Sequence, residues 1–409
     1  NITIRKNRIT AASTQIDVKT AKAALFPSLS FSTSQQVVNR PYQETSSRVS
    51  GSEIISSNSK TSYNGNYGLN ASWTLYNGNK RLKTIQQEKL NNQVAELDVA
   101  TSENNIQESI AQVYIQILYA AESVKVNEST LQVSIAQRDR GQELLNAGSI
   151  AKSDFAQLEA QVSTDRYQLV TAQATLEDYK LQLKQLLELD GENEMNIYLP
   201  ALSDENVLAP LPTKKDVYIR ALSLRPEIEA SKLNVEASEL GIGIAKSSYL
   251  PTISLSAGIG TNHTSGSDFT FGEQVKNGWN NSIGLSVSVP IFNNRQTKSA
   301  VQKAKLQYET SMLSLLDEQK TLYKTIEGLW LDANSAQQRY AAANEKLKST
   351  QISYELISEQ FNLGMKNTIE LLTEKNNLLQ AQQEQLQAKY MAILNMQLLK
   401  FYQGDQLAI

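Results

Sequence analysis

The segment that decides the fold is Tyr63–Tyr76, which has the sequence YNGNYGLNASWTLY. Apolar or aromatic side chains alternate along it with short polar ones. The first set is Tyr63, Tyr67, Leu69, Ala71, Trp73 and Leu75, and the second is Asn64, Asn66, Asn70, Ser72 and Thr74. A period of two residues over such a length predicts a β-strand with one apolar face and one polar face.

Three further segments share this period. Ile, Leu, Val and Ala alternate with Ser, Thr and Gly in residues 252–260 and 282–291, and a weaker version begins near Leu29. We therefore predict four strands, at about 28–38, 63–76, 252–261 and 279–291. They form two hairpins, which cover residues 28–76 and 252–291.

Very long helices are predicted beside the hairpins. Glycine and proline are absent from 79–140, 149–190, 292–327, 329–363 and 365–403. We assign residues 1–27, 77–189, 226–251 and 292–403 to helices, and residues 190–225 and 404–409 to a small connector. A helix over residues 80–146 would be about 100 Å long, which excludes a compact globular domain.

Heptads indicate how these helices pack. In 295–361, two sets of positions repeat every seven residues, one from Val301 and one from Lys305, and most of their side chains are apolar or aromatic. In 150–188 the first recurring set is Phe155, Val162, Leu169, Leu176 and Leu183, and the second is Leu158, Ala172, Tyr179 and Leu186. Sustained 3.5-residue periodicity predicts helices that supercoil side by side.

The chain also repeats itself. Residues 21–30 resemble residues 245–254 at an offset of 224, while Leu75–Gly78 resembles Ile291–Asn294 and Asn146–Ser149 resembles Asn362–Met365 at an offset of 216. A repeat of this length is too long for a solenoid unit. We interpret it as an internal two-fold sequence repeat, in which each half supplies two strands and two long helices.

Composition excludes several classes of function. The 409 residues include 39 basic and 42 acidic ones, so no attraction to nucleic acid is expected. There is no cysteine and a single histidine, His263, which we expect to be an exposed loop residue. We therefore predict no catalytic site, no cofactor, no metal site and no enzymatic activity. No apolar run is long enough for a transmembrane helix.

Four strands with one apolar face fit either a soluble sandwich or a membrane barrel. Four strands cannot close a barrel, and open edges are not tolerated in lipid, so a membrane chain of this kind must oligomerise. Three copies would give a twelve-stranded barrel about 24 Å across. A ring of twelve helices would leave a bore of about the same width, which favours a homotrimer.

Several junction motifs resemble those of the TolC-like outer-membrane efflux protein family. They are Ala23-Ala-Leu-Phe-Pro27 with Leu250-Pro251, Trp73-Thr-Leu-Tyr-Asn-Gly78 with Val289-Pro-Ile-Phe-Asn-Asn294, Leu224-Arg-Pro-Glu-Ile228, and the two helix tips Asn146-Ala-Gly-Ser149 and Phe361-Asn-Leu-Gly364. The resemblance covers essentially the whole chain. It implies a fold that combines helices with membrane β-strands, in which a trimeric twelve-stranded β-barrel continues into a long α-helical barrel with a small equatorial region.

The same resemblance implies a location and partners. It implies a channel in the outer membrane of a Gram-negative bacterium that extends into the periplasm. The channel would serve as the exit duct of a tripartite efflux or type I secretion system, opened by a periplasmic adaptor (a membrane fusion protein) and an inner-membrane transporter. A self-standing diffusion porin and a soluble coiled-coil scaffold remain the alternatives. Family members carry a helical stretch before the position of Asn1, so we expect native residues upstream of it.

Candidate site residues follow from the resemblance. The adaptor would dock on the tips, at Ala147, Gly148, Ser149, Leu363, Gly364 and Met365. A periplasmic gate would be lined by Asp154, Glu370, Thr373 and Glu374, and Lys366 would latch it to Ser153 or Asp154. Trp73, Tyr76 and Trp279, near strand ends, would contact outer-membrane lipid at the membrane interface.

Overall fold

The computed structural model describes residues 1–42, 46–50, 53–57, 60–189, 197–198, 207–267 and 269–407. The helices are α1 (Ile2–Ala23), α2 (Lys80–Asn146), α3 (Lys152–Leu187), α4 (Lys214–Leu224), α5 (Pro226–Lys246), α6 (Phe271–Asn277), α7 (Gln296–Asn362) and α8 (Thr368–Tyr402). The strands are β1 (Ser28–Asn39), β2 (Ser46–Ser50), β3 (Glu53–Ser57), β4 (Thr61–Asn77), β5 (Thr252–Thr264) and β6 (Asn280–Ser288).

The main sheet is antiparallel and has the strand order β1-β4-β5-β6. Phe31 lies opposite Leu69, and Leu69 lies opposite Ile259, so the apolar positions of neighbouring strands share one face. A β-bulge between Thr74 and Tyr76 shifts the register and brings Tyr76 opposite Ile253. Tyr76 therefore joins the apolar face, which strict alternation from Trp73 would not allow.

The loops between the paired strands contain elements that the alternation did not predict. β2 and β3 form a separate two-stranded hairpin between β1 and β4. The short helix α6 lies between β5 and β6, and its capping box joins Thr270 and Glu273. β6 ends at Ser288, earlier than the predicted 291, and Pro290 just beyond it has no N–H to donate to a strand partner.

The long helices match in pairs. α2 and α7 each contain 67 residues, and their first and last residues are offset by 216 positions. Both follow two consecutive residues with positive φ, Gly78 and Asn79 before α2, and Asn294 and Arg295 before α7. The left-handed conformation turns the chain sharply from a strand into a helix, and Asn is among the few residues besides Gly that adopt it readily.

The chain divides into two compact units. Unit 1 comprises Asn1–Ile9, Glu96–Ala230 and Leu315–Ile409, and unit 2 comprises Thr10–Ala95 and Ser231–Ser314. Unit 1 contains α3, α4, α8 and most of α2 and α7. Most of its buried side chains come from these helices, with clusters around Tyr340, Ile326 and Leu371. Unit 2 contains the sheet.

The predicted connector is only partly described. Residues 190–196 and 199–206 lie outside the described residues, as do 408 and 409. Within the described part, α4 begins at an N-cap formed by Thr213, whose side chain accepts a hydrogen bond from the Asp216 backbone. Among the described residues, none of the helices combines the length and the apolar character needed to cross a bilayer.

Candidate functional site

The two helix tips in unit 1 are built in the same way. Gly148 and Gly364 have φ values of 74° and 72°, the left-handed region that favours glycine. At the first tip, Gly148 N–H donates to Leu145 O at 3.0 Å, and Ser149 N–H donates to Leu144 O at 2.8 Å. The second tip repeats both bonds 216 positions later. These paired bonds are the Schellman motif, which ends a helix and reverses the chain within a few residues.

The tip surfaces differ in chemistry. All six residues predicted to dock an adaptor are exposed: Ala147, Gly148, Ser149, Leu363, Gly364 and Met365. At the second tip, Leu363 and Met365 are 74% and 70% exposed, whereas the first tip presents only small side chains. A Cβ added at Gly148 or Gly364 would meet nothing within 4 Å. Both tips therefore leave their backbone accessible to a partner. The second tip also exposes two apolar side chains that could anchor one.

The carboxylates predicted to line a gate also cap helices. Asp154 accepts a hydrogen bond from the Ala151 N–H at 3.3 Å, and Glu370 accepts one from the Asn367 N–H at 3.2 Å. Lys366 Nζ lies 2.5 Å from Glu370 Oε1 and pairs with it, rather than with the predicted partners Ser153 or Asp154. The Lys366 hydrogen bond and then the Asn367 N–H hold the pKa of Glu370 below its ordinary value.

The other two predicted gate residues, Thr373 and Glu374, have different hydrogen-bond partners. Thr373 is exposed, and its hydroxyl donates to Ile369 O at 2.8 Å. Glu374 accepts a hydrogen bond from the Ser353 hydroxyl of α7 at 3.2 Å. Glu370 lies three residues before Thr373 and four before Glu374, so it neighbours both on the helix surface, and Glu374 also bonds to α7.

A buried polar cluster behind the tips was missed by the sequence analysis. Lys375 Nζ donates to both Asp165 and Ser134, and the Ser134 hydroxyl donates to the same Asp165 oxygen. Asp165 and Lys375 have side chains that are only 1% and 3% exposed. The heptads contained a signal for this cluster. In the second recurring set of residues 150–188, position 165 lies midway between Leu158 and Ala172, where the period predicts an apolar side chain, but it is occupied by aspartate.

A second missed cluster surrounds Arg225, in the motif Leu224–Ile228. Its guanidinium is buried and pairs with Glu227 at 2.7 Å and Glu108 at 3.2 Å. The Tyr402 ring centroid lies 4.3 Å from its Cζ, a cation–π contact. Burial raises the pKa of Glu108, which Arg225 opposes, and burial raises the pKa of Tyr402 to about 12. The cluster joins α2, α5 and α8.

In unit 2, most of the apolar face of the sheet is exposed, apart from the end where Phe271 of α6 packs against Tyr67 and His263. Its members stay exposed to an extent that soluble proteins avoid, with Ile283 at 83%. Other exposed residues are Leu29, Phe31, Val37, Tyr63, Leu285 and Val287. The opposite face is polar, with cross-strand bonds such as Ser28 to Ser72 at 2.9 Å and Asn66 to Ser34 at 3.3 Å.

Aromatic residues lie toward both ends of the strands. Trp73 Nε1–H donates to Leu25 O at 2.7 Å, which ties β4 to the chain that follows α1. Tyr76 lies next to the bulge, and Trp279, directly before β6, is 58% exposed. The expectation that His263 is an exposed loop residue is wrong, because β5 continues to Thr264. The His263 ring packs 5.1 Å from the Phe271 ring, over Gly65.

Comparison with known proteins finds a matching family and relatives of similar sequence. A family model described as outer membrane efflux protein matches residues 1–188 and 217–404. The chain is 24% identical over 290 residues to the outer membrane efflux protein BepC of Brucella suis, which covers 70% of this chain and 60% of BepC. It is 23% identical over 311 residues to the outer membrane protein TolC of Escherichia coli, which covers 74% of this chain and 62% of TolC. The chain thus spans about three fifths of the length of these curated relatives.

A solved structure shows the same fold. The crystal structure of CusC, described in connection with folding and transmembrane channel formation, superposes with a TM-score of 0.83. The match covers 99% of this chain and 90% of CusC at 19% sequence identity. The likeness therefore shows the fold of this chain.

Proposed function

This chain belongs to the outer membrane efflux protein family, and from that premise we propose that three copies form an outer-membrane export channel. The channel is the exit duct of a tripartite efflux or type I secretion system and extends into the periplasm of a Gram-negative bacterium. A periplasmic adaptor and an inner-membrane transporter open it and supply the cargo. In this role the chain catalyses no reaction and needs no cofactor.

The observation that carries this proposal is the sheet in unit 2. Its apolar face is exposed and its other face is polar, which suits lipid on one side and an aqueous lumen on the other. β1 and β6 are the edge strands of this sheet. Unpaired edges are not tolerated in lipid, so β6 of one copy must pair with β1 of the next until the ring closes.

Three copies of the sheet give a twelve-stranded barrel. In this proposal residues 28–76 and 252–291 form the barrel, and residues 1–27, 77–189, 226–251 and 292–403 form the periplasmic helical barrel. Residues 190–225 and 404–409 form the equatorial connector. The equal lengths of α2 and α7, and their common offset, support two equivalent halves in each chain. Trp73, Tyr76 and Trp279 contact lipid near the membrane interface.

The tips in unit 1 are the proposed contact with the adaptor and the proposed gate. The exposed residues 147–149 and 363–365 receive helical hairpins of the adaptor. Glu370 and Thr373, on one face of α8, line the narrow end, and Asp154 and Glu374 lie nearby. A latch from Lys366 to Ser153 or Asp154 stays a prediction for the assembled trimer, since Lys366 pairs with Glu370 in the single chain.

Fractionation and mass measurement test the assembly. We expect the chain in the outer-membrane fraction, soluble only with detergent, and trimeric by light scattering. A monodisperse monomer without detergent would contradict the channel and favour a coiled-coil scaffold. Deletion of the gene should abolish export of the pump's cargo, and a trimer that exports in cells lacking the adaptor would favour a self-standing porin.

A further inference from the structure

The buried Asp165–Lys375 pair interrupts a mostly apolar seam, which is the line of heptad positions along which neighbouring helices pack. Leu158, Val162 and Leu183 on α3 are buried at seam positions, and Asp165 occupies the seam position that follows Val162. On α8, Thr368, Leu371, Lys375 and Leu379 are all buried, with spacings of three or four residues. Both charged residues therefore stand where the supercoil requires apolar side chains.

The contacts join three helices in unit 1. Lys375 of α8 donates to Asp165 of α3 and to Ser134 of α2. The other Asp165 oxygen accepts a hydrogen bond from Gln161 Nε2 at 2.9 Å. The carboxylate thus has partners at both oxygens, which satisfies it within the seam.

Stability alone does not account for this pair. Desolvation lowers the pKa of Lys375, and the neighbouring Asp165 carboxylate opposes that effect. Replacing a buried ion pair with apolar side chains of similar volume is often neutral or stabilising. A single polar residue at a seam position instead fixes the register of the helices, because any other register leaves a buried charge unpaired.

The pair also distinguishes the two similar halves of the chain. The residue 216 positions after Asp165 is Ala381, which is fully buried, and the residue 216 positions before Lys375 is Glu159, which is exposed. The two halves therefore place different chemistry at equivalent positions. α3 and α8 are matched to their own partners and are not interchangeable in the bundle.

The pair lies close to the proposed gate. Lys375 follows Glu370 by five residues on α8, and Leu371 between them packs in one apolar cluster with Leu158 and Phe361. Two more polar bonds cross the bundle nearby, from Gln137 to the Tyr354 hydroxyl at 2.8 Å and from Ser353 to Glu374 at 3.2 Å. The first turns of α8 are thus held by polar bonds to α2, α3 and α7.

We propose that Asp165 and Lys375 are positioning residues of the gate, which fix the height and rotation of α8 so that Glu370 and Thr373 face the narrow end in the closed state. The inference rests on the proposed channel function. Removing the pair frees α8 to adopt neighbouring registers, so the gate residues lose their common position although both are still present.

Paired substitutions test this in purified trimers in planar bilayers. Lys375→Met alone leaves Asp165 unpaired and should reduce the yield of assembled trimer. Adding Asp165→Leu should restore assembly, yet the channel should spend about tenfold more time open and lose cation preference with Glu370 intact. The matched control is Lys346→Gln with Glu384→Gln, an exposed α7–α8 pair at 2.8 Å, which should behave as wild type.

A second measurement does not depend on conduction. Hydrogen exchange of the amides in residues 368–375 should be faster in the Lys375→Met/Asp165→Leu variant and unchanged in the control variant. Wild-type exchange together with wild-type conductance in that variant would overturn the inference. If the wild type forms no trimer or no channel, the proposed function fails, and the exchange measurement alone decides whether the pair positions α8.

Discussion

Asp154 and Glu370 occupy the same position in two equivalent helices. Each is the third residue of its helix, each accepts a hydrogen bond from the backbone N–H three residues earlier, and they are 216 positions apart. Negative charge at this position also suits the positive end of the helix dipole. These carboxylates therefore shape the tips as well as bearing the charge expected of a gate, and experiments must separate the two roles.

For Glu370, the pH dependence of cation selectivity separates the role in the gate from the role in capping the helix. Its pKa lies below the ordinary 4.5, so its charge persists as the pH falls through 4.5 and is lost only at lower pH. Lys366→Met removes the largest cause of that shift, and cation preference should then disappear at a higher pH, nearer 4.5. Reversal potentials in a salt gradient measure this. Glu370→Gln should weaken the selectivity and remove the part of the pH step that Lys366→Met shifts, and a pH step unchanged in that variant would exclude Glu370.

Bulk at the tips should block export. In Gly148→Arg with Gly364→Arg, the new side chains project into open space, so the trimer should assemble. The positive φ costs about 1–2 kcal/mol at each site for any L-residue. Gly148→Ala with Gly364→Ala carries the same strain without the bulk and should still export. Drug tolerance and trimer yield are the measurements, and equal tolerance in the two double variants would argue against docking here.

Loss of Arg225 should destabilise the fold strongly. Arg225→Met leaves Glu108 and Glu227 without their cation, which should cost about 3–5 kcal/mol. Arg225→Lys keeps the charge but loses the forked geometry and should cost less.

The deficit in Arg225→Met should depend on pH. Burial raises the pKa of Glu108, and Arg225 opposes this more strongly than the Tyr402 hydroxyl does, so the variant raises that pKa further. The folded state then holds a proton that the unfolded state has released, and stability falls as the pH rises through the folded pKa. Urea denaturation in detergent at about pH 5 and about pH 8 should show the larger deficit at the higher pH. A larger deficit at the lower pH would contradict this account.

Trp73→Phe should weaken the junction between α1 and β4. The substitution keeps an aromatic ring but removes the bond to Leu25 O, at a cost of about 1 kcal/mol. Thermal unfolding of the detergent-solubilised protein measures the loss. Trp279→Phe is the matched control, since this ring lies at the other end of the sheet and is largely exposed. Equal shifts in both variants would show that the Leu25 bond contributes nothing.

Local sequence patterns were sufficient to predict the strands and helices that have a regular hydrophobic period. The alternation from Tyr63 coincides with β4, and the glycines at 148 and 364 coincide with the ends of α2 and α7. Each of these features depends on residues within a few positions of one another. A strand period or a left-handed glycine can therefore be recognised without the fold.

The features that the sequence did not predict depend on residues far apart in the chain, or on which of several possible partners a side chain contacts. Lys375 and Asp165 are 210 positions apart, and each looks like an ordinary surface charge until both helices are placed. The polar loops that form the β2–β3 hairpin and α6 have no sustained period. The Lys366–Glu370 pair could be predicted from the sequence, because residues four apart on a helix meet, but the family resemblance predicted Ser153 or Asp154 as the partner of Lys366.

The matching ends of α2 and α7 have a consequence for the number of partner copies that bind each channel. A trimer would present six hairpin tips with nearly the same backbone, but only three of them would have the exposed Leu363 and Met365. A partner that recognises the turn alone would bind six copies per channel, and one that needs the apolar anchors would bind three. Native mass spectrometry of the saturated complex would distinguish six copies from three, and Leu363→Ser with Met365→Ser should reduce only the three-copy mode.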